Sequence, residues 1–125
     1  MVKTKIVTGN YNTDENSTKG WILGHFMPEG TSFKTQNVEV KWGKHKKGES
    51  KIGVGTNDTA SSLAILLQGK FRYSFPDEDK EITLEKPGAY VFYESGTAHS
   101  WYVEEDCLII TIRWPSVPKD QKVEK

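Results

Sequence analysis

The chain is short of cysteine, arginine, net charge and long apolar runs, and each shortage closes off a class of explanation. One cysteine, Cys107, rules out an internal disulfide. It adjoins the apolar run LIITI, where a cysteine behaves as a small hydrophobe rather than a nucleophile. Seventeen basic residues balance seventeen acidic ones, whereas a nucleic-acid binder normally carries an excess of positive charge. The one basic run, Lys44 to Lys47, reads as a solvated turn. No segment approaches the roughly 18 apolar residues of a membrane span. The opening residues lack the apolar core of a signal peptide. We therefore expect a soluble, cytoplasmic protein with no nucleic-acid or membrane partner.

Helical periodicity is also missing. Instead, short runs alternate between apolar and polar residues, and turn residues separate them. A length of 125 residues suits one domain. The alternation predicts a strand in WILGHFM (Trp21 to Met27), closed by Pro28, Glu29 and Gly30. A second covers Val38 to His45, where Val38, Val40 and Trp42 alternate with Glu39 and Lys41. A weak strand is expected near Ile52 to Val54. A long strand pair, or one bent strand, follows from Ser62 to Phe75, broken at Gly69. Further strands are expected at Glu81 to Leu84, Tyr90 to Tyr93, Ala98 to Val103 and Leu108 to Trp114, with Pro115 ending the last. Many short strands with close turns indicate an all-β sandwich or closed barrel. Residues 1–20 read as a short strand over KTKIV and a polar loop, 21–115 as the barrel, and 116–125 as a polar, frayed tail.

The richest stretch lies between Ser62 and His99. Gly88 is followed by AYVFY, then Glu94-Ser95-Gly96, then Thr97, Ala98 and His99. This resembles the second signature segment of the cupin superfamily. That segment runs Gly, five residues, Pro-x-Gly, two residues, His, three residues, Asn. Glu94 stands for the proline and Val103 for the asparagine. Gly69 matches the last glycine of the first segment, and the resemblance covers Val38 to Trp114. It implies a single-domain cupin-type jelly-roll β-barrel with His99 facing inward, and alternation then turns Trp101 and Val103 inward too.

The first cupin segment is degraded. Counting from Gly48 and Gly69 puts Val54, Thr56 and Ser62 where the family carries two histidines and a glutamate. Of the four usual ligand positions only His99 keeps its donor, and one imidazole does not hold a metal tightly. No cofactor is expected on this reading. A shifted register offers a divalent-metal alternative, with His45, Glu49 and His99 as ligands.

Three functions follow. The leading one is a metal-independent barrel that binds a small polar or anionic molecule. Its candidate ligand-binding residues are His99, Trp101, Trp42, Tyr93, Tyr73, Arg113 and His25. Arginine suits bidentate contact with carboxylates. Arg72 and Arg113, the only two in the chain, are each either an outward strand cation or an anion anchor. The second is a metal-dependent dioxygenase or isomerase that uses His45 and His99. The third is a metal-free acid–base isomerase or epimerase. In it His99 or His45 would be the base, oriented by Glu39 or Glu94, and Tyr73, Tyr93 or Tyr102 the acid. His99 is the candidate catalytic residue, since an ordinary imidazole titrates near neutrality. His25 reads either as a packed histidine on an apolar strand face or as part of the pocket wall. The resemblance also implies a homodimer, with the N-terminal strand or the WILGHFM segment adding to a neighbour's sheet edge.

Overall fold

The computed structural model describes residues 6–13 and 19–124. Most of the strand expected over KTKIV lies outside them. The described chain is all-β, in the order β1 (Trp21–Leu23), β2 (Glu39–His45), β3 (Val54–Asn57), β4 (Ser61–Phe75), β5 (Lys80–Leu84), β6 (Tyr90–Tyr93), β7 (Ser100–Trp114) and β8 (Gln121–Glu124). One 3-10 turn, Pro76–Glu78, carries the acidic bend between β4 and β5. No helix of the described residues is long and apolar enough to cross a membrane.

The larger sheet runs β1-β2-β7-β4-β5, with β6 also on β4. Its spine is the antiparallel pair β4 and β7, in register from Ser61 opposite Trp114 to Ser74 opposite Ser100. β4 was expected as a strand pair or one bent strand and β7 as two pieces, and each is one 15-residue strand. The ladder slips between Leu66 and Phe71, around Gly69 at φ +93°. A β-carbon there would lie 2.6 Å from Cys107 Cα, so the close approach of β7 requires glycine. The bulge also changes which residues face inward. Before it Ser62, Ala64 and Leu66 are buried, and after it Phe71, Tyr73 and Phe75 are.

A smaller sheet closes the barrel. β3 pairs with β8 from Val54 opposite Glu124 to Asn57 opposite Gln121. Residues 48–57 also run beside the start of β7. Gly55 and His99 exchange both backbone hydrogen bonds, at 2.8 and 2.9 Å, and Lys51 N–H donates to the Trp101 carbonyl.

Two expectations are corrected. The segment after Pro115 is not frayed: Ser116 is fully buried and β8 belongs to the barrel wall. The strand expected from Trp21 to Met27 stops at Leu23, because Gly24 begins a turn closed by Met27 N–H to the Gly24 carbonyl.

The facing of β2 is the reverse of its apolar alternation. Glu39, Lys41, Gly43 and His45 face inward, opposite Arg113, Thr111, Ile109 and Cys107 of β7. Val40 and Trp42 face outward, opposite Ile112 and Ile110. The reason is that the outer face of the larger sheet is apolar as well. Two cross-strand rows cover it: Val40, Ile112, Leu63 and Phe92, then Trp42, Ile110, Ile65 and Tyr90. Tyr90 is 67% exposed and Phe92 47%.

The core lies on the other side of the same strands. Tyr73 contacts Phe71, Phe75 and Tyr93 at ring-centre distances of 4.9, 6.0 and 6.0 Å. Offset and tilted aromatic contacts of this kind add to what burial alone provides. Cys107 is buried, and desolvation pushes its thiol up to about 11, as suits a packing residue.

Candidate functional site in the barrel

A cavity of about 60 Å³ opens among the inward residues of β2, β4, β6, β7 and the 48–57 segment. His99, Trp101, Tyr93, Tyr73 and Arg113, all anticipated from sequence, line it. So do His45 and, unanticipated, Lys41, Lys51, Trp21 and Gln121.

His99 is 1% exposed. Its backbone is pinned to Gly55, and its Nδ1 lies 3.0 Å from the Thr97 carbonyl. A carbonyl only accepts, so Nδ1 carries the proton and Nε2 of the neutral ring keeps its lone pair. Burial is the main force holding the pKa down to about 4, and the charges of Lys51 and Arg113 push the same way. The imidazole is therefore neutral at physiological pH, with Tyr93 packed 4.6 Å from it.

A chain of polar groups lies beside it. Gln121 Nε2 donates to Asn57 Oδ1 at 3.3 Å, and Asn57 Nδ2 donates to Ser62 Oγ at 3.2 Å. Ser62 in turn hydrogen-bonds Tyr93. Burial raises Tyr93, and raises Tyr73 further, so both phenols stay protonated.

His45 sits at the edge of the cavity, its ring 5.2 Å from Trp101 and 5.8 Å from Phe71. Its Nδ1 lies 3.1 Å from Glu49 Oε1, and Glu49 Oε2 accepts the Lys46 N–H at 2.6 Å. The Lys46 N–H first, then the bond to His45, lower the Glu49 pKa.

The remaining cavity groups are cations. Arg113 Nη1 reaches Glu39 Oε2 at 3.3 Å, while its buried Nε has no hydrogen-bond partner among the described residues. Lys41 Nζ and Arg113 Cζ lie 5.6 and 5.4 Å from the ring centre of Trp21. Burial lowers the pKa of both Lys41 and Lys51, and the Arg113 charge lowers each further.

No protein-family model matches the sequence, and no curated protein matches it. Solved structures do superimpose on the chain. KdgF from Halomonas sp. aligns with a TM-score of 0.59 at 20% identity, over 66% of this chain and 74% of its own. An RmlC-like cupin protein from Desulfovibrio desulfuricans aligns at 0.56 with 18% identity, over 67% and 77%. The DMSP lyase DddQ from Ruegeria pomeroyi aligns at 0.61 with 16% identity, over 77% of this chain but 47% of its own, so this chain spans about half of that lyase. The chain has the cupin fold. At these identities the likeness carries the architecture and leaves the chemistry to the residues.

Those residues do not suit the metal that a cupin barrel commonly holds. Among the described residues no three His, Cys, Asp or Glu side chains gather where they would share an ion. His45 and Glu49 meet each other at the rim rather than converging with His99 on a common point, so the alternative ligand set is not assembled. Two lysines and an arginine share the cavity instead, and they repel a divalent cation.

Two other candidates lie outside this cavity. Trp42 points to the outer face, 6.2 Å from Tyr11, because β2 faces the opposite way from its apolar alternation. His25 lies past the end of β1. Its Nδ1 is 2.7 Å from Ser116 Oγ, and Ser116 donates to Glu39 Oε1 at 2.8 Å, so His25 braces the carboxylate behind Arg113. Among the proposed acid–base partners, Tyr102 packs under Arg72 on the outer face and Glu94 is exposed beside a separate groove. The two arginines divide. Arg72 is an outward cation, paired with Glu104 at 2.7 Å, while Arg113 lines the cavity.

Sequence reasoning missed Lys41 and Lys51. Lys41 alternates with Val40 and Trp42, which reads as a wet face. The inward glycine at 43 was the one visible sign against that reading. Lys51 lies in a Gly- and Ser-rich stretch that carries no periodic signal.

Proposed function

We propose that this cupin binds a small anion inside its barrel, with cations in place of a metal. The observation that carries this reading is the buried Nε of Arg113, a donor without an acceptor on a side chain that lines the cavity. Such an orphan is costly unless something accepts from it. Lys41 and Lys51 favour the same reading, since neither has a carboxylate within ion-pair distance among the described residues. A volume of about 60 Å³ suits a ligand of a few heavy atoms, such as a short carboxylate or an oxyanion. Tyr73, Tyr93 and the Nε2 of His99 would complete the polar contacts, and Trp101 would form an apolar wall. Thermal unfolding against formate, acetate, phosphate and sulfate tests this, because a ligand at about 100 times its Kd adds about 2.7 kcal/mol. Stabilisation by at least one anion, lost in Arg113→Met, is expected. Equal melting in every anion would sink the reading.

A second reading, a metal-free isomerase or epimerase, is favoured by the pair of His45 and Glu49. A carboxylate orients that imidazole, and the protonated Tyr73 lines the same cavity. Solvent deuterium entering a sugar acid, and failing to enter with His45→Asn, would support it.

We further propose a homodimer in the cytoplasm, with the two outer apolar rows as the contact face. Exposed Tyr90, Phe92 and Trp114 favour such a face. Sedimentation of a strict monomer would remove the dimer.

A further inference from the structure

We propose that Lys41 is an amine nucleophile that captures a small 2-oxo acid as an imine, with the acid's carboxylate held by Arg113. This rests on the anion-binding reading and extends it from binding to covalent chemistry.

The geometry begins with strand register. Lys41 of β2 stands opposite Thr111 of β7, and Arg113 is two residues further along on the same inward face. Diagonal neighbours of this kind lie about 7–8 Å apart at the backbone, within reach of long side chains. Both cations flank Trp21, at 5.6 and 5.4 Å from its ring centre. Arg113 is held from behind by Glu39, itself fixed by Ser116, which leaves the Nε–H unspent. A 2-oxo acid carries its carbonyl carbon next to its carboxylate. An acid seated on Arg113 therefore presents that carbon toward Lys41.

The surroundings suit a nucleophile. An amine attacks only when unprotonated, and a lysine desolvated beside another cation spends more time in that form. Burial, the charge of Arg113 and the lack of an ion-pair partner among the described residues all act on Lys41 in this direction. Lys51 is less suited to the role. It lies outside the named strands, and its side chain packs over Gly55 near Gln121, where it serves as a second cation.

The step balances without an oxidant or reductant. The amine lone pair forms the C–N bond and the carbonyl oxygen takes up a proton, giving a carbinolamine. The C–O bond then breaks and water leaves. Overall, ammonium plus carbonyl becomes iminium plus water.

The test uses the whole chain with pyruvate as the probe and cyanoborohydride to reduce any imine to a stable amine. Intact mass and peptide mapping should find one saturable adduct on Lys41, formed roughly tenfold faster than on exposed lysines such as Lys46 and Lys119. Acetate should suppress it by competing for Arg113, and Arg113→Lys should slow it by about tenfold. Label spread over the exposed lysines with no excess at Lys41 overturns the proposal. Acetate and lactate, which form no imine, serve as the controls in thermal unfolding. If they stabilise the chain while Lys41 stays unlabelled, anion binding stands and the imine falls. If neither binding nor labelling occurs, both fall.

Discussion

On one side of the Gly69 bulge, β4 sends Phe71, Tyr73 and Phe75 into the barrel, where they pack with Tyr93 and Leu84. On the other side, β2 and the later half of β7 send in Glu39, Lys41, Thr111 and Arg113. The same larger sheet supplies both regions, and the cavity lies where they meet. The first region is an ordinary core whose residues gain by leaving water. The second buries charge, which costs free energy unless it is paired. Glu39 and Arg113 offset that cost for each other, and the lysines do not. The contrast teaches that one barrel interior can hold an apolar half and a charged half, with Phe71, Tyr73 and Tyr93 shared between the core and the cavity wall.

Substitutions can break this contrast, and the largest effect is expected in the core. Phe71→Ala should cost about 3–5 kcal/mol in urea unfolding, since a buried ring leaves a cavity that its neighbours fill only partly. A loss below about 1 kcal/mol would mean that this half is not the core. The next effect depends on pH. The pKa of His99 falls from 6.5 to about 4 on folding. Between those values the unfolded chain binds more protons, so stability is complete above about 6.5 and falls as pH drops toward 4. The loss should be about 3 kcal/mol, and His99→Gln should flatten that part of the profile. A wild-type curve level across this window would contradict the neutral, buried imidazole.

Lys41→Met sharpens the contrast from the other side. It removes a desolvated cation next to Arg113, so the ligand-free protein should gain about 1 kcal/mol while anion binding weakens. A loss of stability with unchanged binding would make Lys41 a packing residue. The smallest effect should come from Glu104→Gln on the outer face. The Arg72–Glu104 pair is partly solvated, so the change should stay under about 0.5 kcal/mol by double-mutant cycle.

Much of the framework was legible because backbone demands leave marks in sequence. Gly69 is required by the close approach of Cys107, and Gly88, Gly96 and His99 stand in the spacing that the resemblance assigns them. Once His99 faced inward, period-two alternation carried Trp101 with it. The facing of β2 was not legible. Alternation sends the apolar side inward only where the outer face is polar, and here Val40 and Trp42 join an outer face lined by Ile112, Ile110, Leu63 and Ile65. Lys41 was read as solvent-facing for the same reason. β8 was hidden because QKVE is too polar to announce a strand, and its place comes from pairing with β3.

The position of β7 also has a kinetic consequence. It pairs with β2 and with β4, and residues 48–57 run beside its start, so all three partners precede it in the chain. Ribosomal synthesis therefore delivers three segments that wait, with apolar strands open, until residues 100–114 emerge. Contacts of such high contact order form on the millisecond-to-second scale rather than in microseconds. For this barrel the vulnerable interval is the one before its seventh strand arrives, when chaperones would find the most to hold.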